Sequence, residues 1–204
     1  MTPTGVTPAA VGPAGVTAAA PLPAGLLLAP GAGATRDHRT LVALEHALAP
    51  FPVRRIDLPR AAARAVAAVG EETAAFAADL GVPTDRLLVG GRSFGGRMCS
   101  TAVAEGLAVA GLVLLSYPLH PPGHPERLRV DHLPRITVPV LAVSGGTDPF
   151  GTPDELRAHL STVVGPLTLT LVPGAHAPAD GPVVAAVEAW LRSALATPSA
   201  TIEG

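Results

Sequence analysis

Arg86-Leu87-Leu88-Val89-Gly90-Gly91-Arg92-Ser93-Phe94-Gly95-Gly96-Arg97 is the stretch whose reading decides the fold. Arg86 to Val89 reads as a strand, and Phe94 to Glu105 as a helix. Between them stands Gly91-Arg92-Ser93-Phe94-Gly95, a Gly-x-Ser-x-Gly turn in the strand-to-helix context that this motif requires. Such a turn holds its serine in a strained backbone conformation at the tip. The residues two before and two after must be small to avoid collision, and Gly91 and Gly95 meet that condition. Ser93 is therefore the candidate nucleophile.

Outward from this turn, strands and helices alternate. Upstream, Gly25 to Ala29 is a short apolar run stopped by Pro30-Gly31, as expected of a strand buried on both faces of a sheet. Thr40 to Leu48 reads as a helix, and Val53 to Leu58 as a strand between the breakers Phe51-Pro52 and Pro59. From Ala61 to Leu80, Val66, Val69, Thr73, Phe76 and Leu80 recur at helical spacing. Downstream come strands over Val109 to Ser116, Val138 to Val143 and Leu167 to Val172. Thr152-Pro153-Asp154-Glu155 opens a helix with a capping box, and Pro182 to Leu195 forms a last amphipathic helix.

This alternation predicts an α/β fold, a doubly wound and mostly parallel sheet of about six to seven strands with helices on both faces and little or no cap. The 204 residues suit a single hydrophobic core. The expected layout is a flexible arm or edge strand over 1–20, one domain over 21–196 and a disordered tail over 197–204. His120 to Pro134 is the one long irregular segment, readable as a lid, a binding loop or a tethered surface excursion.

A serine hydroxyl is a poor nucleophile at neutral pH unless an imidazole takes its proton and a carboxylate orients that imidazole. In this kind of sheet the chain order is serine, acid, histidine, each beyond the end of a strand. Asp148 lies just past the fifth strand in Ser144-Gly145-Gly146-Thr147-Asp148-Pro149, and His176 just past the sixth in Pro173-Gly174-Ala175-His176. Either alone reads as a turn residue or a solvated loop histidine, whereas together, in order, they favour catalysis. Two backbone N–H groups are also needed for the oxyanion. Phe94 supplies one, and in the loop Pro30-Gly31-Ala32-Gly33-Ala34 the candidate is Ala32, with Gly31 and Gly33 shaping the turn.

Composition narrows the classes of function. A net charge of −2 and a pI near 6.4 offer no basic field for nucleic acid. The chain contains no Lys, Asn or Gln, so Schiff-base chemistry and a P-loop lysine are excluded. Gly31 onward lacks the last glycine of a dinucleotide turn, since Arg36 stands there, and Gly91 to Gly96 lacks the Lys-Ser/Thr of a P-loop. Nucleotide and other cofactors are not expected. His120, His124 and His132 have no spacing that suits a metal site, and none is expected. Thr35 or Asp37 is expected to cap the helix near Thr40, although Asp37 and His38 also lie close to the oxyanion loop. Cys99 reads as a core residue. A lone cysteine, no cationic leader and no apolar run near the ~18 residues of a membrane span predict a soluble, cytoplasmic chain acting on a small molecule.

Four stretches carry a family resemblance: Leu28-Ala29-Pro30-Gly31-Ala32-Gly33, Gly90 to Arg97, Leu115-Ser116-Tyr117-Pro118-Leu119-His120-Pro121-Pro122-Gly123, and Gly146-Thr147-Asp148-Pro149-Phe150. From about Leu26 to Leu191 the chain resembles small bacterial α/β-hydrolases similar to dienelactone hydrolases, which share a domain with testis-expressed and NSL-complex subunit homologues. The resemblance implies the α/β-hydrolase fold and the same roles for Ser93, Asp148 and His176. Two departures stand out. Pro30 occupies the place where the family's loop usually begins with histidine, and the segment after the second strand is short and Ala-rich. Dienelactone hydrolases proper carry cysteine as the nucleophile, so serine here points to an ester or thioester and not to a lactone. The competing reading is a hydrolase-fold module that keeps the turn for packing and acts by binding another protein.

Overall fold

The computed structural model describes residues 22–195, so the expected arm and tail lie outside the described residues. The elements run β1 (Gly25–Ala29), α1 (Arg39–Leu48), β2 (Val53–Arg55), α2 (Ala62–Leu80), β3 (Leu87–Arg92), α3 (Phe94–Ala104), β4 (Gly111–Leu115), β5 (Val140–Gly145), α4 (Pro153–Leu160), β6 (Leu167–Val172) and α5 (Asp180–Leu195). The six strands form one sheet in the order β2-β1-β3-β4-β5-β6, every neighbouring pair parallel. The chain thus winds outward in both directions from the centre of the sheet, as βαβ crossovers of one hand require.

The period of two along each strand divides the core between the faces. Leu27, Val89, Leu112, Leu114 and Ala142 point to one side, where α2, α3 and α4 deliver Val69, Phe76, Met98 and Leu156. Leu26, Leu28, Leu88, Val113 and Val143 point to the other, against Leu41 and Leu44 of α1 and Val183, Val187 and Leu191 of α5. With helices on both faces, β1 and β4 are buried along their whole length, whereas the edge strands β2 and β6 are mostly half-exposed.

Element ends differ from the sequence reading where backbone partners decide them. β2 stops at Arg55, because Asp57 is drawn to Arg36, whose backbone N–H and guanidinium both donate to its carboxylate. β3 continues to Arg92, since Gly90 and Gly91 let the strand lie tightly against its neighbours. A Cβ on Gly90 would collide with Val113, and one on Gly91 with the Ala29 carbonyl. Neither Thr35 nor Asp37 caps α1: the N-cap is His38, whose Nδ1 accepts from the Thr40 N–H at 3.3 Å. Asp37 is held by the Arg55 guanidinium, which also reaches Glu45. At α4 the expected capping box between Thr152 and Glu155 is present, with Pro153 in the first turn.

Candidate active site

Ser93, Asp148 and His176 all stand just beyond the carboxyl ends of strands, where a parallel sheet leaves a crevice between outgoing loops. Ser93 is the single residue between β3 and α3, with φ 50° and ψ −112°, a strained region for a residue with a side chain. Its N–H donates to the Leu115 carbonyl at 2.8 Å, and its carbonyl accepts from the Arg97 N–H at 3.0 Å. The turn closes only because its flanks lack side chains. A Cβ on Gly95 would lie 2.5 Å from the Pro30 carbonyl, and one on Gly96 2.6 Å from that of Gly91.

Asp148 is buried, and its Oδ1 accepts from the Phe150 N–H at 2.9 Å. The loop that carries it is knit to the histidine loop: the Thr147 N–H and hydroxyl both donate to the Gly174 carbonyl at 3.0 Å. A Cβ on Gly145 would strike the Ala175 carbonyl, so the two loops approach as closely as backbone permits. His176 lies between the other two. Its Nδ1 stands 2.9 and 3.1 Å from the Asp148 oxygens, and its Nε2 stands 2.9 Å from Ser93 Oγ. A carboxylate only accepts, so Nδ1 carries the proton and Nε2 is left to accept from the Ser93 hydroxyl. Phe150 stacks on the imidazole with ring centroids 4.0 Å apart, and the Arg92 guanidinium donates to the His176 carbonyl at 2.8 Å.

A cleft of about 380 Å³ opens over Ser93 and His176, and Ala32 and Phe94 both line it. The Phe94 N–H is the first of α3, so it has no acceptor within the helix. Ala32 sits at the tip of a turn closed by the Ala34 N–H donating to the Gly31 carbonyl at 3.1 Å, with Gly33 at φ 73°. Beyond Ala32 and Phe94 lies a second hollow of about 240 Å³, walled by Pro30, Ala34, Leu58 and Pro59 with Arg60.

Sequence reasoning did not single out Phe150, Arg92, Arg97 and Arg129, all of which line the cleft. Arg92 precedes Ser93 and Arg97 follows it by one helical turn, a spacing that was open to notice. Arg129 comes from the irregular segment, which is tethered there. The Arg129 N–H donates to the Leu119 carbonyl at 2.8 Å, and the Tyr117 hydroxyl donates to the Arg129 carbonyl at 2.8 Å.

The other histidines of that segment turn to separate partners. His120 is buried beside the Pro121 carbonyl and Glu155, and His124 is exposed beside Glu126. His132 meets Ser100, with Nε2 2.8 Å from Oγ, and burial lowers its pKa to about 4. Among the described residues no group of three or more His, Cys, Asp or Glu could hold a metal ion. Cys99 is fully buried against the Gly90 carbonyl, and burial pushes its thiol up to about 12. No helix among the described residues is long and apolar enough to cross a membrane.

A family model described as an alpha/beta hydrolase domain matches residues 23–177, from just before β1 to one residue past His176. Solved structures of the same fold include Est1E from Butyrivibrio proteoclasticus with ferulic acid bound, at 18% identity and TM-score 0.68, covering 87% of this chain and 92% of that one. A malate-bound thermophilic esterase from Thermogutta terrifontis is similar at 21% identity and TM-score 0.67, with 86% and 91% covered. A monoacylglycerol lipase from Paleococcus ferrophilus is similar at 16% identity and TM-score 0.67, with 85% and 96% covered.

Proposed function

This chain belongs to the alpha/beta hydrolase family, and from that membership we propose that it is a serine hydrolase cleaving an ester or thioester of a small acyl substrate through Ser93, His176 and Asp148. The observation that carries the reading is His176 spanning the other two, 2.9 Å from the Ser93 hydroxyl and 2.9 Å from the Asp148 carboxylate.

In the first half-reaction, Ser93 Oγ attacks the carbonyl carbon while its proton passes to His176 Nε2. Asp148 keeps the imidazole in the right tautomer and stabilises the imidazolium. The negative oxygen faces the N–H groups of Phe94 and Ala32, where losing one such donor costs on the order of 10²–10³ in kcat. Collapse breaks the bond to the alcohol or thiol, which leaves with the proton from His176. Water, deprotonated by the same Nε2, then attacks the acyl-Ser93 ester, and the acid departs as Ser93 regains its proton. Phe150 and the Arg92 contact with the His176 carbonyl keep the imidazole from swinging away between steps.

The finer kinship with dienelactone-hydrolase-like proteins and the NSL-complex subunit domain rests on the stretches Leu28 to Gly33, Gly90 to Arg97, Leu115 to Gly123 and Gly146 to Phe150. A cytoplasmic setting suits a chain whose one cysteine is buried. The test is labelling with a fluorophosphonate probe and mapping of the modified peptide. The expected result is one adduct, on Ser93, absent from Ser93→Ala. Correctly folded protein that takes no label would overturn the reading in favour of a protein-binding module.

A further inference from the structure

The cleft over Ser93 is lined by three arginines, Arg92, Arg97 and Arg129. We propose that it takes an anionic ester, one whose acyl or alcohol part carries a carboxylate or phosphate bound by these arginines. This rests on the reading of Ser93 as a nucleophile and names the substrate class of that site.

Three cations gathered at one crevice of a chain whose net charge is −2 need a counter-charge. Six other arginines have one in the fold, among them Arg36 with Asp57, Arg39 with Asp180, and Arg55 with Asp37 and Glu45; five outside the cleft, such as Arg64 and Arg127, form no ion pair among the described residues, so it is the gathering of three at one crevice that stands out. Among the described residues, no carboxylate lies within ion-pair distance of Arg92, Arg97 or Arg129. The one acid close to the nucleophile, Asp148, is already engaged by His176.

These arginines are not solvated bystanders either. Arg92 is half-buried with one nitrogen on the His176 carbonyl, and Arg97 keeps a buried Nε with no hydrogen-bond partner. A buried donor left unpaired is costly, and the Arg97 guanidinium otherwise meets only the face of the Phe94 ring, 5.6 Å from its centroid. Burial lowers the pKa of both Arg92 and Arg129, and Arg97 lowers that of Arg129 further by like-charge repulsion, so each gains from an anion nearby. Planar guanidinia suit the forked oxygens of a carboxylate or phosphate.

Their placement gives the substrate a direction. Arg92 and Arg97 flank Ser93 in the chain, and Arg129 is fixed by the Tyr117 hydroxyl at the foot of the irregular segment. The hollow walled by Pro30, Leu58 and Pro59, with Arg60, adjoins the cleft at Ala32 and Phe94. An ester carbonyl at Ser93 therefore has its charged end among the cleft arginines, and the adjoining hollow is left for the rest of the substrate.

The experiment compares kcat/KM within matched substrates. For the acyl side these are mono-4-nitrophenyl succinate and its methyl ester; for the alcohol side, 4-acetoxybenzoate and 4-acetoxyphenyl phosphate against methyl 4-acetoxybenzoate. The expected result is a preference of about tenfold to a hundredfold for the charged member on one side, the range of a charge-assisted hydrogen bond. The side that shows it assigns the anion to acyl group or alcohol, and the better alcohol-side anion separates phosphate from carboxylate. The preference should shrink with added salt and fall toward one in Arg97→Met/Arg129→Met, a variant shown to be folded by its fluorophosphonate adduct on Ser93. The ratio within a pair, not the absolute rate, is the readout. Labelling of Ser93 without any charge preference, or a preference that survives in the double variant, overturns the anionic class alone. Absence of both labelling and turnover brings down the hydrolase reading and this inference with it.

Discussion

Two serine–histidine contacts of nearly equal length lie seven residues apart in the chain, Ser93 with His176 at 2.9 Å and Ser100 with His132 at 2.8 Å. Their surroundings differ in every respect that bears on reactivity. Ser93 stands at the tip of a strained turn beneath an open cleft, and its histidine is backed by the Asp148 carboxylate. Ser100 is fully buried inside α3, and its hydroxyl donates to the Arg97 carbonyl at 2.8 Å, so its proton is already committed. His132 Nε2 must then donate to Ser100 Oγ, the reverse of the arrangement at Ser93. Distance between serine and imidazole thus says little. The carboxylate that selects the tautomer, access to a substrate and free N–H groups for the oxyanion separate a candidate nucleophile from a structural tie between α3 and the irregular segment.

Replacing the hydroxyls should break the comparison most sharply. Ser93→Ala is expected to lose ester hydrolysis by about 10⁶-fold in kcat, as when one member of a jointly acting set is removed. Asp148→Asn should keep the fold and lower kcat by about 10⁴-fold by favouring the wrong imidazole tautomer, read from steady-state rates beside a circular dichroism spectrum. Ser100→Ala should still take the fluorophosphonate on Ser93 but lose about 1 kcal/mol of stability in urea unfolding, the net worth of a typical buried hydrogen bond. Loss of labelling in Ser100→Ala with the fold intact would erase the distinction between the two contacts.

A last difference between the two contacts concerns pH. Burial lowers the His132 pKa from 6.5 to about 4, so between those values the unfolded chain binds more protons than the folded one at this site. Its contribution to stability is complete above about pH 6.5 and is lost as pH falls toward 4. The thermal midpoint should therefore drop across that window, and less steeply in His132→Gln; equal slopes would show that His132 is not held neutral by burial.

Much of the fold was legible because βα alternation is local. The glycines at 91 and 95 announced a turn that tolerates no Cβ there, and Thr152 with Glu155 announced a capped helix. Element ends were less legible. The growth of β3 to Arg92 depends on how closely Gly90 passes Val113 in a neighbouring strand, and the capping of α1 by His38 follows from Asp37 being claimed by Arg55. Both are contacts between segments distant in the chain.

By itself the sequence determined the parallel α/β class and the order of Ser93, Asp148 and His176 beyond the third, fifth and sixth strands. It could do so because strand and helix periods are written in neighbouring residues, and because a parallel sheet gathers the loops that follow its strands along one edge. Only the tertiary structure decided that Phe150 covers His176, that Ser100 engages His132, and that Arg92, Arg97 and Arg129 meet over Ser93. Phe150, His132 and Arg129 are carried there by loops of no period, whose course is set by packing and by backbone hydrogen bonds such as that from Arg129 to Leu119.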